Sequence, residues 1–178
     1  MTEESIMNIF ALSANPIEAA KLQCDKHVVK MILETAQMLS TAHRELGSKI
    51  SEELLYKKTH VNHPSAVWLR KSWPNYRWAV AHFEALCDEY TFRYKKVHLS
   101  DTKFREAFRR HAPTNLPVDA GFCVPPQCMP DDYKVECESS RDWGATIEAY
   151  RQYYAAEKSS IARYTKRPTP SFINLECD

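Results

Sequence analysis

Apolar positions return every three or four residues along most of this chain, and that spacing predicts helices. Met7-Asn8-Ile9-Phe10-Ala11-Leu12 is an exception, a short apolar run that reads as a strand or as an extended segment laid on the core. Ser13-Ala14-Asn15-Pro16 then predicts a helix start, with Asn15 as N-cap and Pro16 in the first helical position. Helical spacing continues from Ile17 to about Leu46 through Leu22, Val29, Leu33, Ala36 and Leu39, and Gly47 follows as a C-cap. A span of that length predicts a bend or split near residues 23–25. After a polar connector, Pro64 opens a second helix to about Lys71, which Trp73-Pro74 interrupts. A third helix is expected from about Asn75 to Lys95, and a short one from Lys103 to Arg110 capped by Asp101. A last helix is expected from about Trp143 to Tyr164. Between the last two lies a Pro-rich loop, residues 112–141, too long to be a casual connection.

The fold class is therefore mainly α: one compact helical domain over residues 7–172, with extended N- and C-terminal segments. Residues 1–6 are expected to be a flexible extension and residues 173–178 a tail.

Composition narrows the function classes. With 178 residues, 44% of them apolar and 11% aromatic, the chain can build a real core, and disorder is excluded as its main state. Only 3 residues are Gly, which argues against a glycine-rich nucleotide loop. No apolar run reaches the length of a membrane span, and the start of the chain is acidic where a signal peptide is basic and then apolar. The expected compartment is therefore cytoplasmic and reducing. There Cys24 and Cys87 serve as small core residues, and Cys123, Cys128 and Cys137 match no standard zinc spacing. Neither a metal nor another cofactor is expected.

Lys plus Arg is 24 against 23 for Asp plus Glu, a formal +1, but the charges are segregated. Between Arg93 and His111 seven basic residues meet only Asp101 and Glu106. Residues 119–138 are acidic, and residues 141–170 are basic again. The ordinary account is solvated helix faces. The functional one is a phosphate-tracking surface, because Tyr94, Phe104, Phe108, Tyr164 and Phe172 interleave with the bases and aromatics stack on unpaired nucleobases.

Three constellations carry candidate chemistry. In Cys24-Asp25-Lys26-His27-Val28-Val29-Lys30, the imidazole of His27 titrates near neutral pH, and Lys26 and Lys30 lie one turn apart, where an anion between them would relieve their repulsion. The alternative there is an amphipathic helix with a surface charge network. Asn62-His63-Pro64 precedes a helix start, whose amides either bind an anion or are simply capped. The segment Tyr164-Thr165-Lys166-Arg167-Pro168 is too rich in aromatic and Pro residues for a frayed end and is expected to pack back on the body, bringing Lys166 and Arg167 to the site.

These same segments, with Asn8-Ile9-Phe10-Ala11-Leu12-Ser13, Trp68 and Cys87-Asp88-Glu89-Tyr90, resemble a family of small tailed-phage proteins over about Met7 to Phe172. More distantly, the chain resembles the pyrimidine-dimer DNA glycosylases of the phage endonuclease V type, which end in a similar Arg-Pro-Thr and aromatic tail, here Arg167-Pro168-Thr169 and Phe172. That resemblance implies a helical, endonuclease V-like fold, an infected host cell as the setting, and action on the N-glycosidic bond of a damaged or modified nucleotide in DNA. In that family an N-terminal α-amine attacks the sugar and a helix Glu assists. Here Lys26 or His27 stands about where that Glu falls. The reading is therefore Asp25, Lys26 and His27 as catalytic residues, with Lys26 as the amine nucleophile. Lys30, Asn62, His63, Arg70, Lys166 and Arg167 are read as substrate- and phosphate-binding. The alternative function is a non-catalytic nucleotide- or host-factor-binding phage protein, a counter-defence sponge or inhibitor on the same scaffold. The partner on either reading is DNA or a nucleotide, with no membrane.

Overall fold

The structure, a computed structural model, describes residues 7–174. Among them are six α-helices and no strand: α1 (Pro16–Lys21), α2 (Asp25–Leu46), α3 (Pro64–Leu69), α4 (Trp73–Tyr94), α5 (Leu99–Arg110) and α6 (Trp143–Lys158). The expected extension over residues 1–6 lies outside the described residues.

Asn15 caps α1, its side chain accepting from the amides of Ile17 and Glu18. The long helical span splits at residues 22–24, as its length predicts. Cys24 is extended, and tertiary partners take the amides that the break releases. The Cys24 N–H donates to the Tyr154 hydroxyl at 2.9 Å, and the Asp25 N–H to the Arg163 carbonyl at 2.8 Å. A buried helix end needs such partners, because an unmade backbone hydrogen bond in the interior costs about 1–3 kcal/mol.

α2 and α4, each of 22 residues, pack along one another and form the centre of the molecule. α1 lies on α4, and α3 and α5 flank α2. Phe83 of α4 and Phe104 and Phe108 of α5 form a fully buried aromatic group, with Phe104 and Phe108 stacked at 4.7 Å. The His43 ring, also buried, bonds Ser48 Oγ at one nitrogen and the Tyr76 hydroxyl at the other, both at 2.7 Å.

Helix ends differ from the sequence expectation in four places. α3 stops at Leu69 rather than about Lys71. Trp73-Pro74 opens α4 instead of interrupting a helix. Ser72 is the N-cap, and a Pro in the first turn removes only an amide that would be unpaired anyway. α5 begins at Leu99 and is capped by His98, whose ring accepts from the Ser100 amide, so Asp101 sits in the first turn and not at the cap. α6 ends at Lys158, and the chain leaves it through a turn of 3-10 helix (Ser159–Ile161). That exit frees the Arg163 carbonyl to receive the first amide of α2.

Residues 7–12 are extended and almost wholly buried. The Asn8 side chain organises them, accepting from the amides of Ile9 and Phe10 and donating to the Cys128 carbonyl at 2.8 Å. Phe10 adopts φ 53, a left-handed conformation that non-glycine residues avoid. Its ring stacks on His27 at 4.3 Å, and that packing offsets the strain. The Pro-rich loop is draped over α3, α4 and α6 and pinned by side chains. Trp68 Nε1 donates to the Cys123 carbonyl at 2.8 Å, Asn75 Oδ1 accepts from the Cys123 amide, and the Tyr150 hydroxyl donates to the Pro126 carbonyl at 2.6 Å. Cys24 and Cys87 are buried and unbridged; Cys123 and Cys128 in the loop region are half-buried and Cys137 is exposed, and these too are unbridged.

Candidate functional site

The start of α2, the end of α4 and the segment after α6 meet around one buried charge network. Asp25, nine per cent exposed, accepts from Arg93 Nη1 at 3.0 Å, from the Thr165 amide at 2.9 Å and from the Thr165 hydroxyl at 2.7 Å. Arg93 is fully buried at its side chain and also bonds Glu89 Oε1 at 2.9 Å and the Lys21 carbonyl at 3.0 Å. Arg167 closes the network from the tail, gripping both Glu89 oxygens at 2.8 and 3.0 Å. Two carboxylates and two guanidinium groups therefore neutralise one another in the interior. Burial pushes the Asp25 carboxyl up, but the Thr165 hydrogen bonds and the Arg93 guanidinium outweigh it and hold it below the ordinary value. Glu89 behaves alike: burial raises it, while Arg167 and Arg93 bring it lower.

His27 points into the core, five per cent exposed. Its Nδ1 lies 2.8 Å from the Tyr154 hydroxyl, which also accepts from the Cys24 amide. That arrangement leaves the phenolic proton for His27, whose ring is neutral: burial first, then the ammonium groups of Lys158, Lys30 and Lys26, lowers its pKa to about 3. The same three lysines mark a cationic rim around the start of α2. Lys26 is exposed, and Lys30 reaches towards the buried Glu34 at 3.9 Å. Asp25, Lys26 and the segment from Ser160 to Arg163 line a cavity of about 390 Å³ at this rim. Lys166 stands beside it in a left-handed conformation, φ 59, its ammonium on the Phe92 carbonyl at 3.0 Å. The Arg167 guanidinium covers the Phe92 ring at 4.2 Å.

Asp25, Lys26, His27 and Lys30 share the first two turns of α2, but only Asp25 and Lys26 line the cavity, His27 facing the core, and Arg167 is joined to Asp25 through Glu89 and Arg93. Asn62 and His63 do not line this cavity. The His63 ring is the cap of α3, accepting from the Ser65 amide at 3.1 Å, so the capping account fits that six-residue helix. Arg70 donates to the Val61 carbonyl at 2.7 Å and holds the turn before α3. The basic block of residues 93–111 is mostly folded back on acids. Arg93 is buried, Arg105 pairs with Asp101 and Asp88, and Arg109 with Glu84 and Glu106. It does not form the phosphate-tracking face that its sequence suggests.

Sequence reasoning missed Glu89, Arg93, Thr165 and Tyr154 as partners of the site. An Arg four residues after a Glu on a helix is the signal for the first two. Nothing local announces the others, which arrive from about 130 to 140 residues away.

The family model for pyrimidine dimer DNA glycosylase matches residues 7–102, more than half of the chain. The chain belongs to that family. The matched stretch holds α1 to α4, the opening of α5, and with them Asp25, Lys26, His27 and Lys30. The Pro-rich loop, α6 and the Thr165–Arg167 strap lie beyond it. Neither a curated protein nor a solved structure matches the chain. No helix of the described residues is long and apolar enough to cross a membrane, and no three of their His, Cys, Asp or Glu side chains are grouped to hold a metal ion.

Proposed function

We propose that this protein acts on the N-glycosidic bond of a damaged or modified nucleotide in DNA, at the cavity where Lys26 and Asp25 meet. The observation that carries the reading is the family match over the start of α2, which gives this cavity Asp25 and Lys26 and its rim Lys30. Lys26, Lys30, Lys158, Arg163 and Lys166 would neutralise phosphates on either side of the extruded nucleotide. The Lys26 amine attacks C1′ as the C1′–N bond breaks, its electron pair leaving on the base, and the amine yields its proton to solvent. Asp25, kept ionised by Thr165 and Arg93, is not a proton acceptor; its bonds fix the start of α2 and so the position of Lys26 at the cavity. His27, neutral and buried, positions the helix turn through Tyr154 and Phe10.

Borohydride trapping on ultraviolet-damaged and abasic duplexes tests this reading. The wild type is expected to give a covalent protein–DNA adduct, Lys26→Ala none, and Lys30→Ala a normal adduct with weaker, less salt-dependent binding. No adduct on any such duplex overturns the chemistry, and an undiminished adduct with Lys26→Ala overturns the nucleophile. Salt-sensitive binding without an adduct favours the non-catalytic alternative.

A further inference from the structure

The largest cavity described lies elsewhere. It is a groove of about 1020 Å³ between α3 and the Pro-rich loop. Most of its wall comes from residues 123–140, beyond the stretch that the family model matches. The groove is also preformed. Besides the bonds from Trp68, Asn75 and Tyr150, the Val124 amide donates to the Ser140 carbonyl at 2.8 Å. The Gln127 side chain clasps the Val135 backbone at both its N–H and its C=O, at 2.8 and 2.7 Å. A wall fixed by so many bonds lowers the ordering cost of binding.

The lining has two chemistries. Pro64, Val67 and Pro126 supply apolar surface of the kind that covers the face of a planar ring, and the buried Trp68 and Pro125 back that wall. Asn62 and Lys71 supply polar groups at the edge. Among the described residues neither side chain forms a hydrogen bond or ion pair, and both are exposed. An Asn amide offers a donor and an acceptor side by side, the pattern that reads the edge of a nucleobase. The Lys71 ammonium suits a phosphate. Lys134, a second lysine of the lining, is already paired with Asp131 at 2.7 Å. Glu136 also lines the groove, and a carboxylate there accepts from an exocyclic amine while repelling phosphate, which orients the ligand.

We propose that this groove binds a single nucleotide, its base on the apolar wall of Pro64, Val67 and Pro126 and against Asn62, its phosphate at Lys71. The nucleotide is either free or an unpaired member of a DNA strand. The proposal does not depend on chemistry at Lys26.

The test is calorimetric titration with the four deoxynucleoside monophosphates, their nucleosides, and a duplex carrying one unpaired 2-aminopurine. Saturable binding of a monophosphate or of the bulged duplex is expected. Asn62→Ala should weaken it roughly fivefold, the worth of one neutral hydrogen bond. Lys71→Ala should weaken monophosphate binding by about the same factor and leave the nucleoside unchanged. Both side chains are exposed, so the variants should melt with the wild type. Asn62→Asp and Lys71→Gln provide second substitutions should either alanine variant be unstable. Binding of free monophosphates identifies a free nucleotide as ligand, and binding of the bulged duplex alone identifies one held in DNA. Absence of saturable binding for every probe at millimolar concentration overturns the proposal, as do wild-type affinities in both variants. Lys71→Ala is expected to form the borohydride adduct as the wild type does, so failure of the glycosylase reading and failure of this one give different results.

Discussion

Lowering the pH from about 8 to about 5.5 challenges three imidazoles at once. His27, His43 and His82 are each five per cent exposed or less. Burial is the largest cause in all three, holding His27 at about 3 and His43 and His82 at about 4. In the unfolded chain each titrates near about 6.5. A folded value depressed below the unfolded one means that the unfolded state takes up protons first. Stability from these groups is therefore fully present above about pH 6.5 and falls as the pH drops, levelling only near the folded values. At about pH 5.5 the unfolded imidazoles are roughly ten to one protonated while the folded ones remain neutral, which is worth about 1.4 kcal/mol each. Three such groups give about 4 kcal/mol, a large share of the 5–15 kcal/mol that about such a domain typically has. Asp25 and Glu89, both held low, contribute stability that is lost only below the ordinary carboxylate range, outside this interval. Urea denaturation at several pH values measures the difference. A change under about 1 kcal/mol between these two pH values would refute the reasoning, and so would imidazole resonances of the folded protein titrating near about 6.5 for these residues.

Two substitutions probe the packing around the site. Arg93→Met leaves two buried carboxylates without their shared guanidinium and should cost about 3–5 kcal/mol, read as a large fall in Tm. A loss under about 1 kcal/mol would mean that Arg167 alone neutralises the network. Tyr154→Phe removes the acceptor of the Cys24 amide and the partner of His27 and should destabilise by about 1–3 kcal/mol with little change in shape. Thermal melting checks this, and an unchanged Tm would show that neither bond matters.

The helices were largely legible because their signals are local. Asn15-Pro16 marked a start, Gly47 a stop, and the excessive length of the residue 17–46 pattern its own break. Trp73-Pro74 was misread because a Pro that ends one helix and a Pro that opens the next look alike until Ser72 is seen to cap Asn75. The basic block of residues 93–111 was misread for a different reason. Its neutralising partners Glu84 and Asp88 lie on the preceding helix, and pairing between helices leaves no trace in a charge count along the chain. The site was half legible. Asp25 and Lys26 stand together in sequence and at the cavity. Yet sequence alone could not tell that His27 faces the core while Lys26 faces water, since neighbours on a helix point about 100° apart and the phase depends on what packs against it.

The strap that holds Asp25 also sets a schedule. Asp25 and Thr165 are joined across 140 residues, and Arg163 supplies the carbonyl for the first amide of α2. A nascent chain therefore exposes the family-matched helices well before their charge network can close. During synthesis Arg93 and Glu89 can pair with each other, but Asp25 must wait, solvated, for the segment after α6. The region that carries the family's sequence is thus made early and becomes a finished surface late, so any encounter with a polyanion before then meets an α2 start that lacks its strap.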